Sequence, residues 1–242
     1  MNKILCIGEA LIDMICTDKG KPLSEGEHFL KKAGGAPTNV AAAIAALGGG
    51  VSVAAVVGAD PFGQHLIDVL QAFGVDTSLV YQTAEYFTTL AFVSLMENGE
   101  RDFYFNRGAD AQLTMQQMET ISLADYSMVH FGSATAFLPG PLQQSCHWLL
   151  RQAQQSGKFI SFDPNYRQLL FGQNQAYFSM QSEAYVKACN FFKVSDEEAL
   201  LLTQQDSIAA AIDAFKQLTT AVFAITIGAE GTILRVGDSV TT

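Results

Sequence analysis

The chain has 242 residues, enough for one large domain or two small ones and for a substantial apolar core. Hydrophobic residues make up 49% and charged residues only 16%, which excludes a disordered chain. The formal net charge of −10 sets most of the surface against a phosphate backbone and argues against a nucleic-acid partner.

The apolar run "KILCIG" opens the chain and predicts a strand buried on both faces; Gly8, Glu9 and Asp13 interrupt it too early for a signal peptide. The segment from Asp13 to Gly34 has no helical pattern. "PTNVAAAIAAL" predicts a helix with Pro37 in its first turn and Gly48 just past its end, and "VSVAAVVG" predicts the next buried strand. Residues 33–59 carry no charge and are long enough to span a bilayer, but Pro37, Asn39 and the Gly48, Gly49, Gly50 triplet favour a helix–turn–strand, so no membrane partner is expected. A second helix, "PFGQHLIDVLQAFG", ends at Gly74. Residues 87–106 are β-rich and predict a hairpin with Asn98-Gly99 at its turn. The remaining strands, "SMVHFG", "FISFDPN", "NFFKVS" and "AVFAITIG", alternate with the amphipathic stretches "PGPLQQSCHWLLRQAQQSG" and "DSIAAAIDAFKQLT". This alternation predicts an α/β fold with a mainly parallel sheet in a single domain, 1–242. The β-rich insertions, approximately 13–34 and 87–107, predict a small lid sheet standing off the main one, whose apolar edges point to a homodimer.

Polar residues collect where the strands end. Glu9 and Asp13 follow the first; Asp163, Asn165 and Arg167 follow "FISF"; Ser195 and Glu198 follow "NFFKV"; Thr226, Gly228 and Gly231 follow "AVFAI". Open parallel sheets bind ligands beyond the carboxyl ends of their strands, so four such coincidences predict a cleft. No G-x-S-x-G elbow, clustered metal ligands, G-x-G-x-x-G turn or P-loop is present. The four cysteines form no C-x-x-C pair and fit buried thiols of a cytoplasmic protein. Gly34 and Gly35 let backbone approach a ligand closely, Asn39 offers donors and an acceptor, and Asp13 adds a carboxylate. Such a set suits neutral hydroxyl groups, and polyols and sugars are the natural match.

The run "GGAPTNVAAAIAALGGGVSVAAVVG" resembles the N-terminal signature of the ribokinase-like (PfkB) carbohydrate kinases, with Gly34, Gly35, Asn39, Gly48 and Gly58 at its spacing. "GEALIDM", "FDPNYR", "KVSDEE" and "TIGAEG" look like further motifs of this family, in the usual order, and within it the chain is most similar to bacterial fructokinases. The resemblance implies a three-layer α/β/α fold and ATP-dependent phosphorylation of a sugar hydroxyl, with Mg²⁺ and a stimulating monovalent cation such as K⁺. It implies that Asp13, Gly34, Gly35, Asn39, Asn165 and Arg167 bind the sugar, with Arg107 approaching from the lid. Lys193, Thr226, Gly228 and Gly231 would lie along the nucleotide. Glu198 would stand near Mg²⁺ through water, with Asp163 a second candidate, although Ser195 occupies a place where the family often has Asn. Each admits a structural role as well: Glu198 as a carboxylate at a helix N-terminus, Arg107 as a solvated lid charge, Asn165 and Arg167 as part of a structural cluster.

The family's catalytic base is the Asp of a G-A-G-D motif, and "RVGDSVTT" is not that motif: its Gly237-Asp238 reads as a hairpin turn. The motif, and the C-terminal part of the fold with it, is expected beyond Thr242, so the 242 residues by themselves are expected to turn over poorly. Fructose is the substrate the resemblance favours; 2-keto-3-deoxygluconate, ribose and nucleosides stay open. So does a different class, a non-catalytic sugar-binding protein or pseudokinase.

Overall fold

The computed structural model describes residues 3–97, 101–132, 134–219 and 221–242. The first half of the chain builds β1 (Lys3–Ile7), β2 (Leu11–Cys16), β3 (Phe29–Gly34), α1 (Ala36–Ala46), β4 (Val51–Gly58), α2 (Pro61–Ala72), β5 (Val80–Thr83), β6 (Leu90–Leu95), β7 (Arg101–Asn106) and α3 (Met115–Glu119). There follow β8 (Tyr126–Phe131), α4 (Pro141–Gln155), β9 (Phe159–Phe162), α5 (Gln168–Phe171), α6 (Gln175–Ala188), β10 (Phe191–Ser195), α7 (Asp196–Thr203), α8 (Ile208–Leu218), β11 (Val222–Thr226), β12 (Thr232–Val236) and β13 (Ser239–Thr241).

Among the described residues the strands form a nine-stranded sheet, β13-β12-β11-β10-β9-β8-β1-β4-β5, and a four-stranded sheet, β3-β2-β6-β7. The main sheet is parallel from β5 to β11 and ends in the antiparallel β12 and β13. The central strands are buried on both faces, which explains their unbroken apolar runs; all eight residues of β4 are buried. On one face Leu5, Ile7, Phe131, Phe162, Phe192 and Phe223 pack beneath α4, α6, α7 and α8. On the other, Cys6, Val53, Ala55 and Val57 pack against Ala41 of α1 and Leu66 and Leu70 of α2. These helices on both faces of a mostly parallel sheet, with a small second sheet beside it, make the α/β fold the sequence led us to expect.

The uncharged stretch 33–59 is the end of β3, then α1 and β4; among the described residues no helix is long and apolar enough to cross a membrane. The lid sheet joins β2 to β3 and β6 to β7 antiparallel, with β2 and β6 parallel at its centre. The Asn98-Gly99 turn expected between β6 and β7 lies outside the described residues. Helix α6, absent from the sequence expectations, puts Phe178, Ser182, Tyr185 and Val186 into the core.

The order of strands places the site. From β1 the chain proceeds to β4 and β5 on one side, then crosses to β8 and continues outward on the other. The reversal falls between β1 and β8, and a crevice opens there beyond the carboxyl ends of the strands.

Candidate functional site

The crevice is lined by Glu9, Asp13, Gly35, Asn39, Asp163, Asn165 and Arg167, with Ala91, Phe103 and Phe105 contributed by the lid and Ala134 and Thr135 by the loop after β8. Four segments supply its charged and amide side chains: the link from β1 to β2, β2 itself, the start of α1, and the loop after β9.

Glu9 fastens the first of these to the rest. It is 1% exposed, and one carboxylate oxygen accepts N–H bonds from Ala36 (3.0 Å) and Ala134 (3.3 Å). Ala36 is the first residue of α1, so the helix N-terminus already holds a carboxylate from within the chain. The glycine turn before α1 therefore does not present itself as an empty phosphate cradle. Gly35 caps the helix at φ 108°, and a Cβ there would lie 2.4 Å from the Glu9 carbonyl, so only glycine fits. Thr38, buried in the first turn, donates its hydroxyl proton back toward the carbonyls of Gly34 and Gly35, each 2.8 Å away. The side chain of Asn39, one residue on, is exposed at the crevice and meets no protein partner among the described residues.

Asp13 comes from β2, opposite Lys32 of β3. Gly34 leaves room for it: a Cβ at Gly34 would stand 2.2 Å from an Asp13 carboxylate oxygen. Burial raises the Asp13 pKa above its ordinary value, and the charge of Arg167 offsets this only in part. Asp163 behaves alike. Burial raises its pKa, while Lys193, with Nζ 3.5 Å from its carboxylate, the Asn165 N–H and Arg167 pull it down. The other oxygen of Asp163 accepts the Asn165 N–H at 3.2 Å, and Asn165 adopts φ 49°, a left-handed conformation that Asn tolerates. This tight turn brings Asn165 and Arg167 to the crevice.

Glu198 has a structural task. It is 6% exposed and closes a capping box with Ser195 at the start of α7, accepting the Ser195 N–H at 2.7 Å while Ser195 Oγ accepts the Glu198 N–H at 3.1 Å. Its other oxygen accepts the Tyr166 N–H at 2.7 Å, which pins the 163–167 loop beside the crevice. Arg107 stands apart from the crevice lining. Its nitrogens donate to the Asp110 carboxylate (3.3 Å) and to the carbonyls of Pro139 (3.2 Å) and Thr135 (3.3 Å), and Asp110 is fully buried. The solvated lid charge considered for it does not describe this position. Among the nucleotide candidates, Lys193 reaches the crevice through Asp163, and Thr226 ends β11, next to Ser195 of β10. Gly228 and Gly231 follow at φ 58° and 116°, with open space where a Cβ would be. No group of three or more acidic, His or Cys residues suited to a metal is found among the described residues.

The structure thus gathers Asp13, Gly35, Asn39, Asp163, Asn165 and Arg167 into one hollow, with Gly34 shaping it and Lys193 at its border. Glu198 and Arg107 act from behind its walls, and Thr226, Gly228 and Gly231 lie farther along the same sheet edge. Sequence reasoning missed Phe103 and Phe105; the period-2 pattern of the hairpin was the available signal, but both faces of β7 are aromatic.

The sequence matches the description "pfkB family carbohydrate kinase" over residues 1–241. The chain belongs to the pfkB family of carbohydrate kinases. It is 36% identical to Fructokinase-2 of Oryza sativa subsp. japonica over 208 residues, which are 85% of this chain and 61% of that protein. The crystal structure of a fructokinase with bound ATP from Xylella fastidiosa matches with a TM-score of 0.84 and 31% identity, over 99% of this chain and 72% of that one. A double mutant of the Vibrio cholerae O395 fructokinase, in its fructose, ADP and potassium ion bound form, matches with a TM-score of 0.80 and 26% identity, over 100% of this chain and 75% of that one. The pfkB chain described here thus spans just over three-fifths of the length of the Oryza relative.

Proposed function

We propose that the protein belongs to an ATP-dependent sugar kinase that phosphorylates a hydroxyl of fructose. The observation that carries this proposal is the convergence of Asp13, Asn39, Asn165 and Arg167 on the switch-point crevice, which the backbone turn at Gly35 also lines. Asp13 accepts hydroxyl protons, Asn39 and Asn165 donate and accept, and Arg167 donates; together they fit a neutral polyol. Gly34 keeps Asp13 in place. The likeness to fructokinases, one of them solved with ATP and another with fructose and ADP, supports both substrates.

The nucleotide is proposed to lie along the carboxyl ends of β10 and β11, its terminal phosphate near Lys193 and the rest toward Thr226, Gly228 and Gly231. Mg²⁺ supplies charge neutralisation on the phosphates when bound; Glu198, each of whose oxygens accepts a backbone N–H, suits contact through water better than direct ligation, and Asp163 is the nearer carboxylate. A monovalent cation such as K⁺ belongs to the same proposal, with the potassium-bound Vibrio structure in its support. A lid homodimer and a cytoplasmic setting complete it. Exposed Ile15, Leu30 and Tyr104 on the lid and four free cysteines support these two.

Isothermal calorimetry with fructose, with and without a non-hydrolysable ATP analogue, tests the assignment, followed by phosphorus NMR of fructose, ATP and Mg²⁺ with the enzyme. Saturable fructose binding that Asn39→Ala abolishes is expected. Binding of ribose or 2-keto-3-deoxygluconate in its place would transfer the assignment to another sugar. Sugar binding with no nucleotide binding would indicate a sugar-binding protein, and no sugar binding at all would end the proposal.

A further inference from the structure

The loop that brings Asn165 and Arg167 to the crevice is held by a carboxylate that does not line it. Asn165 sits at φ 49°, a left-handed conformation that even Asn keeps only where its surroundings enforce it. Two carboxylates enforce it here. On one side Asp163 accepts the Asn165 N–H at 3.2 Å. On the other, Glu198 accepts the N–H of the next residue, Tyr166, at 2.7 Å and from 32 positions away in sequence. Among the described residues this is the one hydrogen bond that ties residues 164–167 to a distant part of the chain, since their other bonds stay within the loop and its exit into α5. The Tyr166 ring packs on Phe171 and Phe178, with centroids 5.9 and 4.7 Å away, and its neighbours on either side line the crevice. The Tyr166 carbonyl accepts from the Arg167 guanidinium at 2.9 Å.

Glu198 is anchored in turn at the end of β10, where its other oxygen accepts the Ser195 N–H at 2.7 Å. A second tie joins the same two segments, from Lys193 to Asp163, but it is longer, 3.5 Å, and its side chains are partly exposed. A short, buried bond to a charged acceptor is the firmer of the two. From this circuit, and resting on the assignment of the crevice as a sugar site, we infer that Glu198 is a positioning residue for the sugar: through the Tyr166 N–H it fixes the turn that presents Asn165 and Arg167, and it does so with no metal or nucleotide bound. The two bonds of Glu198 are separable. Glutamine offers one acceptor oxygen to the two donors. A capping box takes Gln as readily as Glu, so in Glu198→Gln the cap of α7 is kept and the Tyr166 bond is lost. Ser195→Ala does the reverse: it removes the hydroxyl that accepts the Glu198 N–H and leaves the bond to Tyr166 in place.

Calorimetry of the 242-residue protein with fructose, in EDTA and without nucleotide, provides the test, with wild type, Glu198→Gln and Ser195→Ala compared and amide exchange at Tyr166 followed by NMR. Glu198→Gln is expected to bind fructose roughly tenfold more weakly than wild type, the effect of one lost hydrogen bond to a charged group, and its Tyr166 amide is expected to exchange faster. Ser195→Ala is expected to melt at a lower temperature yet to bind fructose within about twofold of wild type. Fructose affinity in Glu198→Gln equal to that of wild type overturns the inference. So does an equal loss in both variants, which would reduce Glu198 to a cap of α7. Should Glu198→Gln fail to fold, wild type carries the test: a Tyr166 amide that exchanges as fast as an unprotected loop amide overturns the inference. A wild type that binds no fructose instead removes the sugar-site assignment on which the inference stands.

Discussion

In the role proposed for it, Asp13 would trade stability against sugar binding. Burial raises its pKa, and Arg167 lowers it only in part, so the ionised form is penalised in the folded chain. The folded state then holds the proton more readily than the unfolded one, and Asp13 subtracts stability as pH rises through its titration range. Asp13→Asn removes that cost. We expect its melting temperature at neutral pH to equal or exceed that of wild type, while fructose affinity drops by about 2–3 kcal/mol, on the order of a hundredfold, because the hydrogen bonds of a charged acceptor are lost. Differential scanning calorimetry and a binding isotherm measure both; a variant that is less stable yet still binds would contradict this account. For wild type, fructose affinity should fall on acidification, starting above the ordinary aspartate value of about 3.9. Asp13 was legible in the sequence because "GEALIDM" places it just past a strand. The penalty on its charge was not, since that depends on Gly34 in β3 and Arg167 far along the chain.

At the scale of elements, Asp60 couples the core to the lid. One oxygen of its carboxylate accepts N–H bonds from Phe62 (3.0 Å) and Gly63 (2.9 Å) at the start of α2 and the Thr88 hydroxyl proton (2.8 Å); the other accepts the Thr88 N–H (2.7 Å), two residues before β6. Burial acts to raise the Asp60 pKa, but the donors from Gly63, Thr88 and Phe62 outweigh it and hold the group below its ordinary value. Its contribution is therefore present above the unfolded-state pKa and lost as pH falls through the lowered folded value. Asp60→Ala should cost about 2 kcal/mol, the upper end for loss of a helix cap, in urea unfolding. It should also speed hydrogen exchange at the Thr88 and Thr89 amides, where a purely local cap would leave exchange unaltered. Elements with strong local signals were legible in advance: α1 between Pro37 and Gly48, and the buried strands. Helix α6 was not, because "QAYFSMQSEAYVKA" mixes Ser182 into its buried face and polar residues among its aromatics, so its pattern emerges only once α4, α5, α7 and β9 pack around it. Arg107 was legible as a basic residue after the hairpin, and Asp110 is a local partner three residues on, but Thr135 and Pro139 come from a distant segment that no local pattern connects to it.

The whole molecule is one large sheet with a smaller one standing beside it, and the smaller one is where a second copy is proposed to dock. Ile15 and Leu30 are cross-strand partners on one face of this sheet and both are exposed, while Tyr104 on β7 is exposed on the other face. Exposed apolar residues on a small sheet, above all the Ile15–Leu30 pair, call for a cover. Sedimentation analysis should find wild type as a dimer and Leu30→Asp as a monomer with its secondary structure intact; a monomeric wild type would refute the dimer. The general architecture was legible because alternating strands and helices leave few topologies. The point of reversal in strand order was not, since no sequence pattern announces that β8 returns to the other side of β1.

The carboxylate of Glu9 at the head of α1 has a directional consequence. Since the chain supplies its own negative charge there, inorganic phosphate or sulfate has little to gain from that end of the hollow and should compete poorly with a neutral sugar. A sugar that has acquired a phosphate is under the same constraint. If the proposed phosphotransfer takes place here, that new charge is expected to point away from α1 and toward Lys193, so the polarity of the hollow would set which way round the product sits.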